Sequence, residues 1–423
     1  MVRFEEIIGY EKEKEELKRL SDAWKNPDKY RALDVEIPHT VLLYGVPGVG
    51  KTMMANALIS ESGLSFFICR KSAFDTRFVV RIEKTFSLAV ENSPAIVLLD
   101  DMDKFADGDV RFDRNKEEFV AIQSCLERVK DEAVYTVATA NTISCFPDSL
   151  LRAERFGRQI CMAPPEKEDV EAIVRHYLRD KKISREISVD LITEVLKGKT
   201  CAELKSVVNE AGLLAGYESC AEIGRPHLTD AILKVILNAT KSPEETYAPY
   251  IAYHEAGHAI AAREILGRAV DLVTIRSANG RGGICLLHGK TCMLSYKNCL
   301  NEATVGLAGR AATRLRFGEV DTGCSEDVSH ALGLLRTAVM SCCAEGFRFG
   351  YDNGKYDNRQ APDRLDRIDR KLYRMMDDCY KRATTVLRAN RPLLDAIAEE
   401  LLAKEVLLSD ELERLFAKQF AAS

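Results

Sequence analysis

Residues 41–53 read VLLYGVPGVGKTM. A short strand-like run, Val41 to Tyr44, leads into Gly45-Val46-Pro47-Gly48-Val49-Gly50-Lys51-Thr52, and MMANALIS then has the composition of a helix. Strand, glycine-rich turn, helix is the order a phosphate-binding loop needs. The glycines let the backbone curl so that its N–H groups face the phosphates. Lys51 then reaches the β and γ phosphates of ATP, and the Thr52 hydroxyl meets Mg2+. A plain glycine turn between strand and helix has no need of the Lys-Thr pair.

A second stretch agrees with this reading. In AIVLLDDMDK (95–104) a five-residue apolar run is a buried parallel strand. Its carboxyl end carries Asp100 and Asp101, at the edge where open α/β sheets place their ligands. Asp100 is expected to hold Mg2+ and Asp101 to orient the attacking water. A third strand, Tyr135 to Ala138, ends near Asn141, a candidate to touch the γ-phosphate or that water. In SLLRAERFGR (149–158), Arg152 and Arg155 lie three apart ahead of a Phe-Gly turn. Taken with the features before them, they resemble the arginine fingers of AAA+ ATPases. Such fingers stabilise charge on the transferring phosphoryl, often from a neighbouring subunit, which implies a ring.

After PPEKEDVEAIVRHYLRD the apolar spacing is helical through LITEVLKG, AELKSVVNEAGLLAGYES and LTDAILKVILNA. This suits a small helical lid, and KSPEETYAP (241–249) is the expected joint to the next domain.

Residues 253–260 then read YHEAGHAI. On a helix His254 and His258 share one face, a turn apart, so both imidazoles reach a single cation. Glu255 sits at the flank, placed to take a proton from a water activated there. Gly257 weakens the helix, and a substrate strand passing close to the backbone would account for it. Two histidines four apart also occur as a satisfied core pair. A catalytic zinc needs a third protein ligand, and the downstream candidates are His288, Cys324, Glu326, Asp327 and His330.

Composition bounds the partners and the compartment. The 423 residues are 46% apolar and 30% charged, with a net charge of −5 and no long basic block. That argues against nucleic acid as a partner. The 13 cysteines lack a CxxC or a regular framework and read as reduced thiols of a cytosolic protein. The first twenty residues do not read as a signal peptide, and no apolar stretch approaches a membrane-spanning length. A cytoplasmic chain without a transmembrane segment is expected.

GVPGVGKT, LLDDMD, LLRAERFGR, YHEAGHA and TGCSEDVSHA, in this order, resemble the FtsH family of ATP-dependent zinc metalloproteases. Further echoes are SVVNEAGLLA, GLAGRAAT (306–313) and ANRPLLDAIAEELL. The resemblance runs from about residue 4 to the end. It implies a multidomain fold: an α/β P-loop AAA+ core (1–160), a helical lid (161–242), and a mainly α-helical zinc metallopeptidase domain (246–423). It implies Zn2+, ATP and Mg2+ as cofactors, protein substrates, and a homo-hexamer that feeds unfolded polypeptide to its zinc sites. The family's third zinc ligand, an aspartate in a TGxxxD stretch, maps to Asp327, which would start a helix that brings it to the two histidines.

Four departures from the family pattern bear on mechanism. The family begins with membrane spans, and this chain begins at the ATPase. The second acid of the strand motif is usually glutamate, and the shorter Asp101 predicts slow ATP hydrolysis. The pore segment lacks its glycine run, leaving Phe78, then Phe74, as the aromatic expected to grip substrate. A Gly-Ala-Asp of the lid becomes Cys201-Ala202-Glu203. Two other readings therefore stand beside the coupled protease: a zinc peptidase with a weakly hydrolysing, regulatory nucleotide site, and an AAA+ remodelling protein with an inert zinc site.

Overall fold

The computed structural model describes residues 2–71, 77–105, 117–278, 282–289, 295–320, 322–342 and 362–422. The chain separates into two compact units, Met1–Ser184 with Leu196–Gly224, and Arg185–Val195 with Arg225–Ser423.

The first unit is built on a parallel sheet of β1 (Thr40–Tyr44), β2 (Ser65–Cys69), β3 (Ala95–Leu99), β4 (Val134–Ala140) and β5 (Gln159–Cys161), in the order β2-β3-β4-β1-β5. Parallel strands require crossovers that cover both faces with helices. Alternate strand residues accordingly feed two cores. Val41, Leu43, Ile96, Leu98 and Val137 join α1 (Glu11–Lys25) and α3 (Lys51–Ser62) on one face. Leu42, Val97, Leu99 and Ala138 join α4 (Phe78–Glu91) and α5 (Glu117–Arg128) on the other. Trp24 closes the first core, stacked on Tyr135 with ring centroids 4.8 Å apart. The short α2 (Pro27–Arg31) follows α1, and α6 (Lys167–Leu178) and α8 (Cys201–Tyr217) complete the unit.

This packing corrects one expectation. Phe78 is 3% exposed and meets Phe105 edge to face at 4.7 Å, so it is a core residue and not a substrate grip. Phe74, the second candidate, lies outside the described residues.

In the second unit α7 (Val189–Leu196, up to Val195) and α9 (Arg225–Val235) join the elements from Ala239 onward. The strands β6 (Ala239–Lys241) and β8 (Ser277–Ala278) pair antiparallel. β7 (Val270–Thr274) lies between β9 (Ile284–Leu287) and β10 (Val406–Leu408). The centre is α10 (Ala248–Ala261), extended by a π-helical turn over Ala262–Leu266 and packed on α12 (Ala308–Phe317) and α15 (Arg391–Lys404). Around it lie α11 (Tyr296–Gly306), α13 (Ser325–Met340), α14 (Pro362–Ala389) and α16 (Ser409–Ala422).

Small residues let α10 and α12 approach closely. A Cβ on Gly257 would stand 2.7 Å from the Ala312 Cβ and 2.8 Å from the Ala308 carbonyl oxygen. Helix packing therefore explains this glycine, and the substrate strand invoked from sequence is not needed. Six of the described cysteines are buried: Cys69, Cys125, Cys145, Cys299, Cys324 and Cys379. Among the described residues no helix is long and apolar enough to cross a membrane.

Candidate functional site

The phosphate-binding loop joins β1 to α3. Gly48, at φ 87°, holds a left-handed turn, and a Cβ there would meet the Ala202 Cβ at 2.8 Å. The close neighbour is the start of α8, whose Ala202 N–H donates to the Gly48 carbonyl at 3.0 Å. Thr200 and Glu203 cap that helix reciprocally, which fixes the substituted Cys-Ala-Glu segment against the loop. Lys51 Nζ donates to the carbonyls of Gly45 (2.8 Å) and Val46 (3.0 Å) and to Asn141 Oδ1 (3.0 Å). Burial lowers its pKa.

The sheet order puts the carboxyl ends of β1, β4 and β3 side by side, so Asn141 and Asp100 face the loop. Asp100 Oδ1 accepts from Thr52 Oγ1 at 3.0 Å and from Thr139 Oγ1 at 2.7 Å. Its Oδ2 is taken by the Arg70 guanidinium. Burial alone would raise the Asp100 pKa, but these hydroxyl and guanidinium donors outweigh it and lower the value. Asp101 sits in the left-handed region at φ 57° and accepts Lys104 Nζ at 2.8 Å. Asp103 accepts from the Asn141 backbone N–H at 2.9 Å and from its Nδ2 at 3.0 Å. Arg155 Nη1 donates to the Ser149 carbonyl at 2.8 Å, and Arg152 is exposed on the same turn.

In the second unit α10 presents His254 and His258 to the first turn of α13, where Asp327 stands. His254 Nε2 lies 2.9 Å from Asp327 Oδ2 and 3.0 Å from His258 Nε2. His258 Nε2 is 3.5 Å from the same carboxylate oxygen. His258 Nδ1–H donates to the Val305 carbonyl at 2.9 Å, so Nε2 is the ring nitrogen turned toward the group. Two imidazole nitrogens and a carboxylate oxygen thus converge as a set that could hold one cation.

Electrostatics favour a cation there. Burial opposes charge on His258, but Asp327, Glu255 and the Val305 carbonyl bring its pKa up to about 9. The two histidines hold Asp327 well below the ordinary carboxylate range against the opposing effect of burial. Glu255 is 6% exposed, and burial raises its pKa although both histidines pull the other way. The packing also leaves room. A Cβ on Gly309 would lie 2.5 Å from His254 Nε2 and 2.6 Å from His258 Nε2. A Cβ on Gly283 would lie 2.7 Å from Glu255 Oε1. Both glycines keep space beside the histidine pair and Glu255. The donor set and this cradle fit zinc.

The chain matches two family models: the ATPase family associated with various cellular activities over residues 41–164, and peptidase family M41 over 242–415. It is 32% identical to the ATP-dependent zinc metalloprotease FtsH of Thermus thermophilus, over 98% of this chain and 70% of that protein. This chain belongs to the FtsH family. FtsH of the Aster yellows witches'-broom phytoplasma is 30% identical over 98% of this chain, which spans 64% of that relative's length. FtsH 1 of a Thermoanaerobacter species is likewise 30% identical, over 98% and 72%.

Of the five sequence candidates for a third ligand beside the FtsH-type histidine pair, Asp327 alone stands with them. His288 groups instead with Asp271 and Glu194, its Nδ1 3.1 and 3.3 Å from their carboxylate oxygens. Cys324 is buried with its Sγ 3.6 Å from Arg310 Nη1, and Glu326 and His330 are exposed. Sequence reasoning missed Gly309, Gly283, Thr139, Asp103, Arg70 and the Val305 carbonyl. For Gly309 the sequence carries a signal, since it lies within GLAGRAAT, a stretch that resembles the family.

Proposed function

We propose that this chain is an ATP-dependent zinc endopeptidase that unfolds and degrades protein substrates as a homo-hexamer. The observation that carries the reading is the convergence of His254, His258 and Asp327 beside buried Glu255, with Gly309 keeping the space over them open. In this reading His254, His258 and Asp327 hold the zinc. When bound, zinc supplies Lewis acidity to a water and to the scissile carbonyl. Glu255 accepts the proton of that water and delivers it to the leaving amine, a role to which a raised pKa is suited. The Val305 carbonyl holds the His258 tautomer throughout.

In the nucleotide pocket the loop from Gly45 to Thr52, including Val46, Pro47 and Val49, cradles ATP. Asp100 and Thr52 serve Mg2+, Asp101 and Asn141 position the attacking water, and Arg152 and Arg155 act on a neighbouring subunit's nucleotide. The 1–160, 161–242 and 246–423 boundaries are proposed as the functional divisions, and the cytoplasm as the working compartment.

The test is degradation of a loosely folded protein by the purified chain with zinc, with and without ATP, against Glu255→Gln. Cleavage that needs ATP and is lost in the variant is expected. Zinc at one per chain with no cleavage of any unfolded protein would refute the reading. A second reading, a peptidase with a regulatory nucleotide site, is favoured by one observation: the shortened acid Asp101 is engaged by Lys104. Cleavage that ignores ATP but needs Glu255 would select it.

A further inference from the structure

We propose that Arg70 sets the Mg2+ requirement of the nucleotide pocket: its guanidinium is the resident counter-ion of Asp100, and Mg·ATP binds by displacing it. The inference rests on the nucleotide site proposed above.

The placement comes from the backbone. Strands β2 and β3 are parallel, with Cys69 opposite Leu99, and the Asp100 N–H donates to the Cys69 carbonyl at 3.0 Å. The next residues, Arg70 and Asp100, therefore leave the sheet side by side at its carboxyl edge. The Arg70 backbone is anchored there, because Arg81 on α4 donates to its carbonyl oxygen. The side chain pivots from a fixed point beside the carboxylate.

The two partners differ sharply in solvation. The Asp100 side chain is 2% exposed and that of Arg70 is 59% exposed. A carboxylate so deeply buried needs a compensating cation. Thr52 and Thr139 bring hydroxyl dipoles to Oδ1; among the described residues the guanidinium at Oδ2 is the full charge in hydrogen-bond contact with the carboxylate, with the Lys51 charge acting from further away. Arginine stays protonated across the working pH range, so no proton loss releases it. What releases it is a competing cation. A half-exposed guanidinium swings into water at little desolvation cost, whereas Asp100 cannot follow. Mg2+ recruited to Thr52 and Asp100 would place a dication beside Arg70, and like charges at that range repel.

Mg2+ binding is therefore an exchange of one cation for another at Asp100. The full chain would be titrated with Mg2+ at fixed fluorescent N-methylanthraniloyl ATP, comparing wild type, Arg70→Ala and Arg70→Lys. Removing the competitor is expected to lower the Mg2+ concentration for half-maximal binding about fivefold in Arg70→Ala. Arg70→Lys, which keeps the charge, is expected to stay within about twofold of wild type. Mg2+ without nucleotide is expected to raise the unfolding temperature of Arg70→Ala more than that of wild type. Should Arg70→Ala fold poorly, Arg70→Gln serves in its place.

Normal nucleotide binding with an unchanged or raised Mg2+ midpoint in Arg70→Ala would overturn the inference and leave the nucleotide site standing. A wild-type chain that binds no ATP at any Mg2+ concentration would remove both.

Discussion

Gly309→Ala separates a glycine kept for helix geometry from one kept for the metal. The new Cβ would lie 2.5 Å from His254 Cε1 and Nε2 and 2.6 Å from His258 Nε2, where ordinary contact begins near 3.4 Å. Roughly 0.8–1 Å of displacement is therefore required. In the metal-free protein the atoms struck are ring ends held by hydrogen bonds to Asp327 and to each other rather than by an ion, so the rings can turn at the cost of those bonds. Alanine is the better helix former, which offsets part of that cost, so metal-free stability should change by no more than about 1 kcal/mol. With zinc the same rotation is not available, since ligand distances tolerate only about 0.2 Å. Disturbing the groups that merely orient metal ligands already costs about 10–100-fold in affinity. Displacing two ligands should cost about 100-fold or more, or at least roughly 2.7 kcal/mol. The assay pairs a competitive chelator titration of zinc with thermal unfolding in EDTA. Zinc affinity within about threefold of wild type would refute the cradle argument. So would an equal loss of stability with and without metal.

Gly257→Ala should behave in the opposite way. Its Cβ strikes the Ala308 carbonyl and the Ala312 Cβ, which cannot rotate aside, so unfolding in EDTA should show about 1–3 kcal/mol of destabilisation. Phe78→Ala should lower stability by about 3–5 kcal/mol, seen in denaturant unfolding, because it empties a core site beside Phe105. If Asp101 is too short for its water, Asp101→Glu should raise steady-state ATP turnover about tenfold while leaving nucleotide affinity nearly unchanged; equal turnover would show that the length of this acid is not limiting.

What was legible in the sequence depended on how locally each feature is encoded. The phosphate loop and the histidine pair occupy consecutive residues whose spacing dictates their geometry. Asp327 is 73 residues from His254, and spacing alone left five candidates open; the turn that starts α13 settles the placement. Gly309 works by being absent from a volume, and empty space leaves no periodic trace in a sequence. Phe78 is the instructive error. Its position in the chain points to a pore aromatic about as readily as to a core residue, yet Phe78, Ile82, Phe86 and Ala89 recur at helical spacing and are all buried on one face of α4. The periodicity was present and outranked position.

Arg70 was unreadable for a different reason, and it exposes an asymmetry between the two sites. Its role depends on the register of β2 against β3, which only the folded sheet supplies. Once placed, it shows that the charges of the nucleotide pocket are paired among themselves: Arg70 with Asp100, and Lys104 with Asp101. Lys51, meanwhile, is turned onto its own loop and Asn141. Nucleotide and Mg2+ must exchange these contacts for their own. At the proposed zinc site the converging groups, His254, His258 and Asp327, meet one another directly. On the proposed roles, an ion entering the peptidase site replaces contacts among its own ligands, whereas Mg2+ at Asp100 would have to displace a guanidinium that stays tethered beside it.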